Sequence, residues 1–271
     1  MLDARPVIVT EGLGIYDVAC RHGSGRGENV EYASSHALVF VRRGCFVRSA
    51  DGAEALLDPT LAYCTNPGQE QRYDHPHADG DDCTMVILEP ELVASICGGE
   101  PELPSTPVAT SPRTDLQQRL LVAASRRSPH DEDELFERAL ALVADALEHA
   151  EPARVASGRP ATDKTRRALA DGARELLAAD PDTSLPELAR ELAVSPHHLS
   201  RVFRSICGHS IARHRMRLRA RAAAERLIRG DRDLARLAAD LGFADQSHLC
   251  RVLRSETGTT PSALRHAFAS A

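Results

Sequence analysis

The densest group of metal-ligating side chains is the stretch DHPHADGDDC, which carries His75, His77, Asp79, Asp81, Asp82 and Cys83, with Cys64 on the preceding apolar run. Imidazole, carboxylate and thiolate together suit Zn²⁺ or another borderline-soft cation. The spacing is unorthodox. His75 and His77 flank Pro76 and would share one face of a regular strand, whereas Ala-Asp-Gly-Asp-Asp is a turn sequence that can carry the remaining ligands into water. No metal and no cofactor is therefore assigned, and His75, His77 and Cys83 stand as the alternative metal set. Cys64 and Cys83 could sense oxidants or electrophiles, but no flanking Lys or Arg favours either thiolate, so buried structural thiols are the default. Ser-His-Asp order, a P-loop and a dinucleotide fingerprint are all missing, and no enzyme activity is expected.

A second set of residues is written twice. Leu199, Arg201, Val202, Arg204, Ser205 and Gly208 return fifty positions later as Leu249, Arg251, Val252, Arg254, Ser255 and Gly258, while Leu192 pairs with Leu241, so the second copy has one extra residue in its turn. Two copies are too few for a stacked solenoid and indicate a paired module. Within the first copy Leu199, Val202 and Phe203 share an apolar helical face, opposite His197, Ser200, Arg201 and Arg204. Within the second, Leu249, Val252 and Leu253 point inward and Ser247, Cys250, Arg251 and Arg254 outward. The outward residues, with His198 and Gln246 beside them, are the types that contact base edges and phosphates when a helix lies in the major groove.

Charge supports a polyanionic partner for this half. The net charge of −6 hides an asymmetry: residues 1–150 hold 12 Arg against 25 Asp and Glu, a balance of −13, whereas residues 151–271 hold 20 Arg, one Lys and 14 acids, a balance of +7. Basic character confined to one half is the electrostatic footprint of nucleic-acid binding. There is no run of eighteen apolar residues and no basic-then-apolar start, so neither a membrane span nor a signal peptide is expected and a cytoplasmic location follows. Seven cysteines, an odd number without C-x-x-C spacing, fit reduced thiols.

These residues need elements to hold them. From His36 to Leu88, β-rich runs alternate with Asp-Gly, Asp-Pro and Asn-Pro-Gly turns, the pattern of a small antiparallel barrel. Its few large residues, Phe40, Phe46, Tyr63 and Tyr73, leave room for a small-molecule effector, with Tyr73 and His75 as candidate contacts. Pro101–Pro112 reads as a connecting loop. Helical spacing follows over Asp115–Ala124 and Asp133–Ala150, where Leu135, Ala139, Leu142, Val143 and Leu147 form a stripe suited to the core or to a homodimer. After a linker, helices are expected over Asp163–Ala179, Ser184–Leu192, Ser195–Ser205, Ile211–Arg229, Leu234–Leu241 and Asp245–Glu256, with Ser184 and Ser195 as N-caps. The long helix, roughly 28 Å at 1.5 Å per residue, would set the two repeated helices about one B-DNA turn apart, roughly 34 Å.

The stretch GFADQSHLCRVLRSETGTTPSALR resembles the signature of the AraC/XylS family of bacterial transcription regulators through Gly242, Phe243, Asp245, Ser247, Arg251, Gly258, Thr260, Pro261 and Arg265. The resemblance covers about residues 163–268. Leu249, Leu253 and Leu264 stand where the family usually has aromatic residues, and Cys250 where it often has a small hydroxyl residue facing DNA. The resemblance implies a cupin-like N-terminal barrel for an effector, helices for dimerisation, double-stranded DNA as ligand and RNA polymerase as partner. A catalytic cupin would need a Glu and a further His after His-x-His, which are not in place here.

The expected architecture is α+β multidomain: a cupin-like barrel over residues 1–112, a helical dimerisation or connector segment over 113–150, a linker over 151–162 and a double helix-turn-helix domain over 163–271. The expected function is sequence-specific, effector-controlled transcription regulation. The alternative is a cupin enzyme or a metal or redox sensor with a fused DNA-binding module.

Overall fold

The computed structural model describes residues 2–21, 25–26, 30–77, 80–125, 132–148 and 160–269. Two compact units divide the chain, Met1–Glu151 together with His266–Ala271, and Pro152–Arg265.

The first unit is built on eleven described strands, β1 (Leu2–Thr10), β2 (Leu13–Cys20), β3 (Gly25–Arg26), β4 (Glu31–Tyr32), β5 (His36–Arg43), β6 (Phe46–Ala50), β7 (Ala53–Leu57), β8 (Leu61–Thr65), β9 (Glu70–His75), β10 (Asp81–Leu88) and β11 (Val108–Ala109), with helices α1 (Pro90–Cys97), α2 (Pro112–Ser125) and α3 (Glu132–Glu148). One sheet runs β1-β2-β10-β5-β8-β11; the other runs β3-β9-β6-β7, with β4 also on β9. The pairings are antiparallel. Strand β5 explains why HALVFV is apolar without alternation. Its Leu38 and Phe40 join a core with α2 and α3, while Ala37, Val39 and Val41 join a second core with Phe46 and Leu57 of the other sheet. A strand covered on both faces needs apolar residues at every position.

Several expectations change here. Strands β1 and β2 precede His36, where no strand was read. Pro101–Pro112 is more than a connector: β11 pairs with β8, and the Asn66 side chain exchanges two 2.9 Å hydrogen bonds with the Leu103 backbone. Phe40 packs on the helical side of its sheet, away from the barrel interior. In α3, Leu135, Ala139, Leu142 and Val143 are buried in the core of their own chain, with Leu147 packed beside them. Of the two uses this stripe allowed, core or homodimer, these residues serve intrachain packing.

From residue 160 onwards, α4 (Pro160–Ala179), α5 (Leu185–Glu191), α6 (Pro196–Cys207), α7 (Ile211–Ile228), α8 (Leu234–Asp240), α9 (Gln246–Thr257) and α10 (Pro261–Ala269) follow in order. The expected linker lies outside the described residues except for its last three positions, which are already helix α4. Residues Ser184, Ser195, Ser210, Asp233 and Asp245 each accept a hydrogen bond from the backbone N–H three positions on, and Ser184 and Glu187 complete a capping box. Such caps satisfy N–H groups that the helix itself leaves bare. Gly208 and Gly258 end α6 and α9 at φ 76° and 75°, a conformation glycine adopts without Cβ strain. Ala173, Leu177, Leu188, Leu199, Phe203, Ile211 and Leu218 form the core of the first helix-turn-helix.

Candidate nucleic-acid interface and the barrel cluster

Helices α6 and α9 repeat each other in burial as well as in letters. Leu199 and Phe203 are fully buried, as are Leu249 and Leu253; Val202 is buried, whereas Val252 is only half-buried. On the opposite faces His197, Arg201, Arg204, Gln246, Ser247, Arg251 and Arg254 are exposed, and His198, Ser200 and Cys250 are half-buried along the flanks. Few internal contacts hold these side chains. The Arg201 guanidinium lies 3.4 Å from His198 Nδ1, and Arg251 Nε donates to the Ser247 carbonyl at 3.4 Å. His198 and Ser247 lie close to the N-terminal ends of their helices, where free N–H groups favour anions.

Helix α7 joins the two helix-turn-helix motifs and is itself fastened to the second. The carboxylate of Glu256, 8% exposed on α9, receives Arg213 at 2.9 Å and Arg217 at 3.6 Å. At its start His209 stacks on His214, with ring centroids 5.4 Å apart and planes 12° apart, and the two rings share a 3.2 Å hydrogen bond. Burial, and next the nearby Arg217 charge, push the His209 imidazole down to about 4. Sequence reading passed over this pair, because neither histidine belongs to the outward face of a repeated helix.

The barrel presents a different chemistry. Facing the interior, Phe46, Tyr63 and Tyr73 have ring centroids 5.8–6.2 Å apart, and the two phenol oxygens are 3.3 Å apart. Arg48, 6% exposed, sits 4.7 Å over the Tyr63 ring and donates to Gln69 Oε1 at 2.7 Å and Gln71 Oε1 at 3.2 Å. Among the described residues no carboxylate bonds this guanidinium. Beyond Phe46, the His75 ring lies 5.8 Å away and its Nε2 reaches Asp81 Oδ1 at 2.8 Å. Tyr73 and His75, the expected effector contacts, are thus both among these rings.

Of the alternative metal set, His75 lies in a group with Cys20 and Asp81, whose ligand atoms all fall within 4.8 Å of one another. Cys83 joins through Asp81, donating to its Oδ2 at 3.3 Å. His77 is not in that group: β9 ends at His75, so the regular strand that would keep both imidazoles on one face does not extend to His77. Asp79 lies outside the described residues. Asp82 alternates to the other face and is held by Arg21 and by Arg43 at 2.9 Å. Cys64 packs in the helix-side core and Cys83 in the inter-sheet core, so the two thiols occupy opposite faces of the sheet. Burial raises Cys64 to about 12, and burial together with the Asp81 charge raises Cys83 well above the ordinary thiol value. Cys20, the third member of that group, faces Asp81 directly across the β2–β10 ladder, a register that local spacing could not reveal.

Two helix-turn-helix units in tandem, each offering an arginine-bearing face, define a DNA-binding protein with two reading helices. A helix-turn-helix domain model matches residues 188–267. The regulatory protein SoxS of Salmonella typhimurium is 30% identical over 87 residues, 32% of this chain and 81% of SoxS, and the regulatory protein PocR of the same organism is 32% identical over 84 residues, 31% of this chain. The chain belongs to the AraC/XylS family of transcription regulators. It spans only 28% of the length of PocR. Among solved structures, ToxT from Vibrio cholerae with a bound unsaturated fatty acid aligns over 97% of this chain and 98% of its own, at 10% identity and TM-score 0.38. The Cupin_2 domain of an XRE family transcriptional regulator from Enterobacter cloacae covers 33% of this chain and 97% of its own, at 13% identity and TM-score 0.28. No helix of the described residues is long and apolar enough to cross a membrane.

Proposed function

We propose that the chain regulates transcription by setting α6 and α9 into successive major grooves of one operator, with His197, His198, Ser200, Arg201 and Arg204 reading the first groove and Gln246, Ser247, Cys250, Arg251 and Arg254 the second. The observation that carries this reading is the duplicated face: the same helical positions are exposed twice and bear arginine twice. The 18 residues of α7 extend roughly 27 Å at 1.5 Å per residue, close to the groove spacing of about 34 Å. Hydroxyl-radical footprinting on DNA selected by the full chain tests it. Two protected patches about 10 bp apart on one face are expected; a single patch would overturn the two-groove reading.

The barrel is the control unit in this proposal. Among the described residues its buried Arg48 is held by amide and phenol groups, so a small molecule bearing a carboxylate would complete a charge pair that no described carboxylate supplies. Binding there would favour one of two states that differ in operator affinity. A melting-temperature screen of small carboxylic acids, repeated with Arg48→Met, checks it. Shifts that persist in the variant would place the effector elsewhere.

A further inference from the structure

We propose that Cys20, His75, Asp81 and Cys83 form a binding site for a divalent cation of the zinc type at one end of the barrel. Nothing in the duplicated helices requires this site, and it is independent of the DNA-reading proposal.

The argument begins with topology. Cys20 ends β2 and Asp81 begins β10, directly opposite in register; Cys83, two residues on, projects from the same face. His75 ends β9 in the other sheet and reaches across the interior to them. Three donors therefore converge within 4.8 Å and Cys83 adjoins them through its 3.3 Å hydrogen bond to Asp81, and all are enclosed: Cys20 is 6% exposed, Asp81 4% and Cys83 3%, and the His75 side chain is 10% exposed. Backbone packing enforces the convergence. Gly80 has φ +67°, and a Cβ there would collide with the Cys20 carbonyl; a Cβ on Gly44, at φ +79°, would collide with the Gly80 carbonyl. Three chain segments approach too closely for any side chain, which presses Asp81 against Cys20.

Charge distinguishes this cluster from a packing accident. The Asp81 carboxylate is buried, and its hydrogen-bond partners among the described residues are an imidazole and a thiol; Arg21 nearby bonds the Asp81 backbone carbonyl at 2.9 Å and the Asp82 carboxylate, not the Asp81 carboxylate. The neighbouring Asp82, on the other face, takes two arginines. A buried carboxylate held only by a weak thiol donor and a histidine is poorly compensated in a low-dielectric interior. A divalent cation would supply the missing charge and hold both thiols as thiolates. In a tetrahedral site with bonds of about 2.0–2.3 Å, donor atoms lie about 3.3–3.8 Å apart. The 4.8 Å limit that contains the Cys20, His75 and Asp81 donors needs only small side-chain adjustments to meet that spacing, and the cation would replace the His75–Asp81 hydrogen bond. Two thiolates, an imidazole and a carboxylate match zinc better than magnesium or calcium, which take oxygen donors.

The test uses the full chain, purified under reductant without chelator. Zinc content is measured first, then the metal is removed and Co²⁺ is titrated, because thiolate ligation gives an ultraviolet charge-transfer band and a tetrahedral field gives strong visible bands. About one cation per chain is expected, with the charge-transfer band weakened in Cys20→Ser and in Cys83→Ser but unchanged in Cys97→Ser, which alters an exposed thiol outside the cluster. Affinity should fall by at least the ~10–100-fold that loss of even an outer partner costs. Folded, reduced wild-type protein that develops no thiolate band overturns the site without any variant having to fold. A band that survives undiminished in both cluster variants overturns it equally.

Discussion

Ala193 and Gly242 occupy the same station in the two helix-turn-helix units, and both adopt a left-handed backbone, at φ 53° and 67°. In each turn the next residue donates its N–H five positions back into the preceding helix: Val194 to the Ala189 carbonyl and Phe243 to that of Ala238, both at 2.9 Å. The turn demands this conformation whichever residue fills it. Alanine carries a Cβ penalty there that glycine does not.

Ala193→Gly is therefore expected to raise stability by about 0.5–1 kcal/mol, the relief of left-handed strain exceeding the added chain entropy. Gly242→Ala should lower it by at least about 1 kcal/mol, because the new methyl would also lie 2.6 Å from the Arg219 guanidinium. Urea midpoints of the two variants, measured side by side, check the pair. Equal signs would show that the turns are not equivalent.

Arg201→Ala and Arg251→Ala should each weaken binding to a selected operator by about 1–3 kcal/mol if each arginine contacts a base. A loss that is uniform over all sequences, with a shallower salt dependence, would assign the residue to phosphate instead. Competition assays with specific and random duplexes at two salt concentrations separate the two.

Acid should destabilise the second unit through His209. Its imidazole is held near 4 in the fold against 6.5 ordinarily, by burial and by the Arg217, Arg174 and Arg213 charges, while its stacked neighbour is His214. The unfolded chain thus takes up the proton first. Stability present above about pH 6.5 is lost progressively as pH falls towards 4. Replacing the ring by His209→Gln should flatten the change in urea midpoint between about pH 7.5 and 5; an unaltered slope would move the acid sensitivity to another group.

Leu142→Ala is expected to cost about 2–5 kcal/mol, since Leu142 is 1% exposed in the core between α3 and the larger sheet. Thermal unfolding of the variant, together with its mass in solution, tests this. A variant that keeps its melting temperature but changes oligomeric state would return the α3 stripe to an interface between copies.

The helical half was legible because its signals are local: capping serines, terminal glycines and an apolar period repeated at fixed spacing. Most of the positions expected outward on α6 and α9 from period alone are exposed, although Ser200 and Cys250 are half-buried. The barrel was less transparent. Strands β5 to β10 are marked by a series of turns, whereas a lone Glu11–Gly12 turn, with Gly12 at φ 103°, is the local mark of the β1–β2 hairpin. His75 and Cys83 stand close together in the chain, whereas Cys20 reaches them only through antiparallel register across some sixty residues. The stripe on α3 was ambiguous in principle, since one apolar face serves a sheet or a second copy equally well.

On the proposed two-groove reading, α6 and α9 share their arginines but differ where His197 and Ser200 in the one answer to Ser247 and Cys250 in the other, so the two grooves would be asked for different bases. An operator satisfying both would have a head and a tail. A single chain would lie on it in one sense only, so reversing the site would reverse the chain on the duplex.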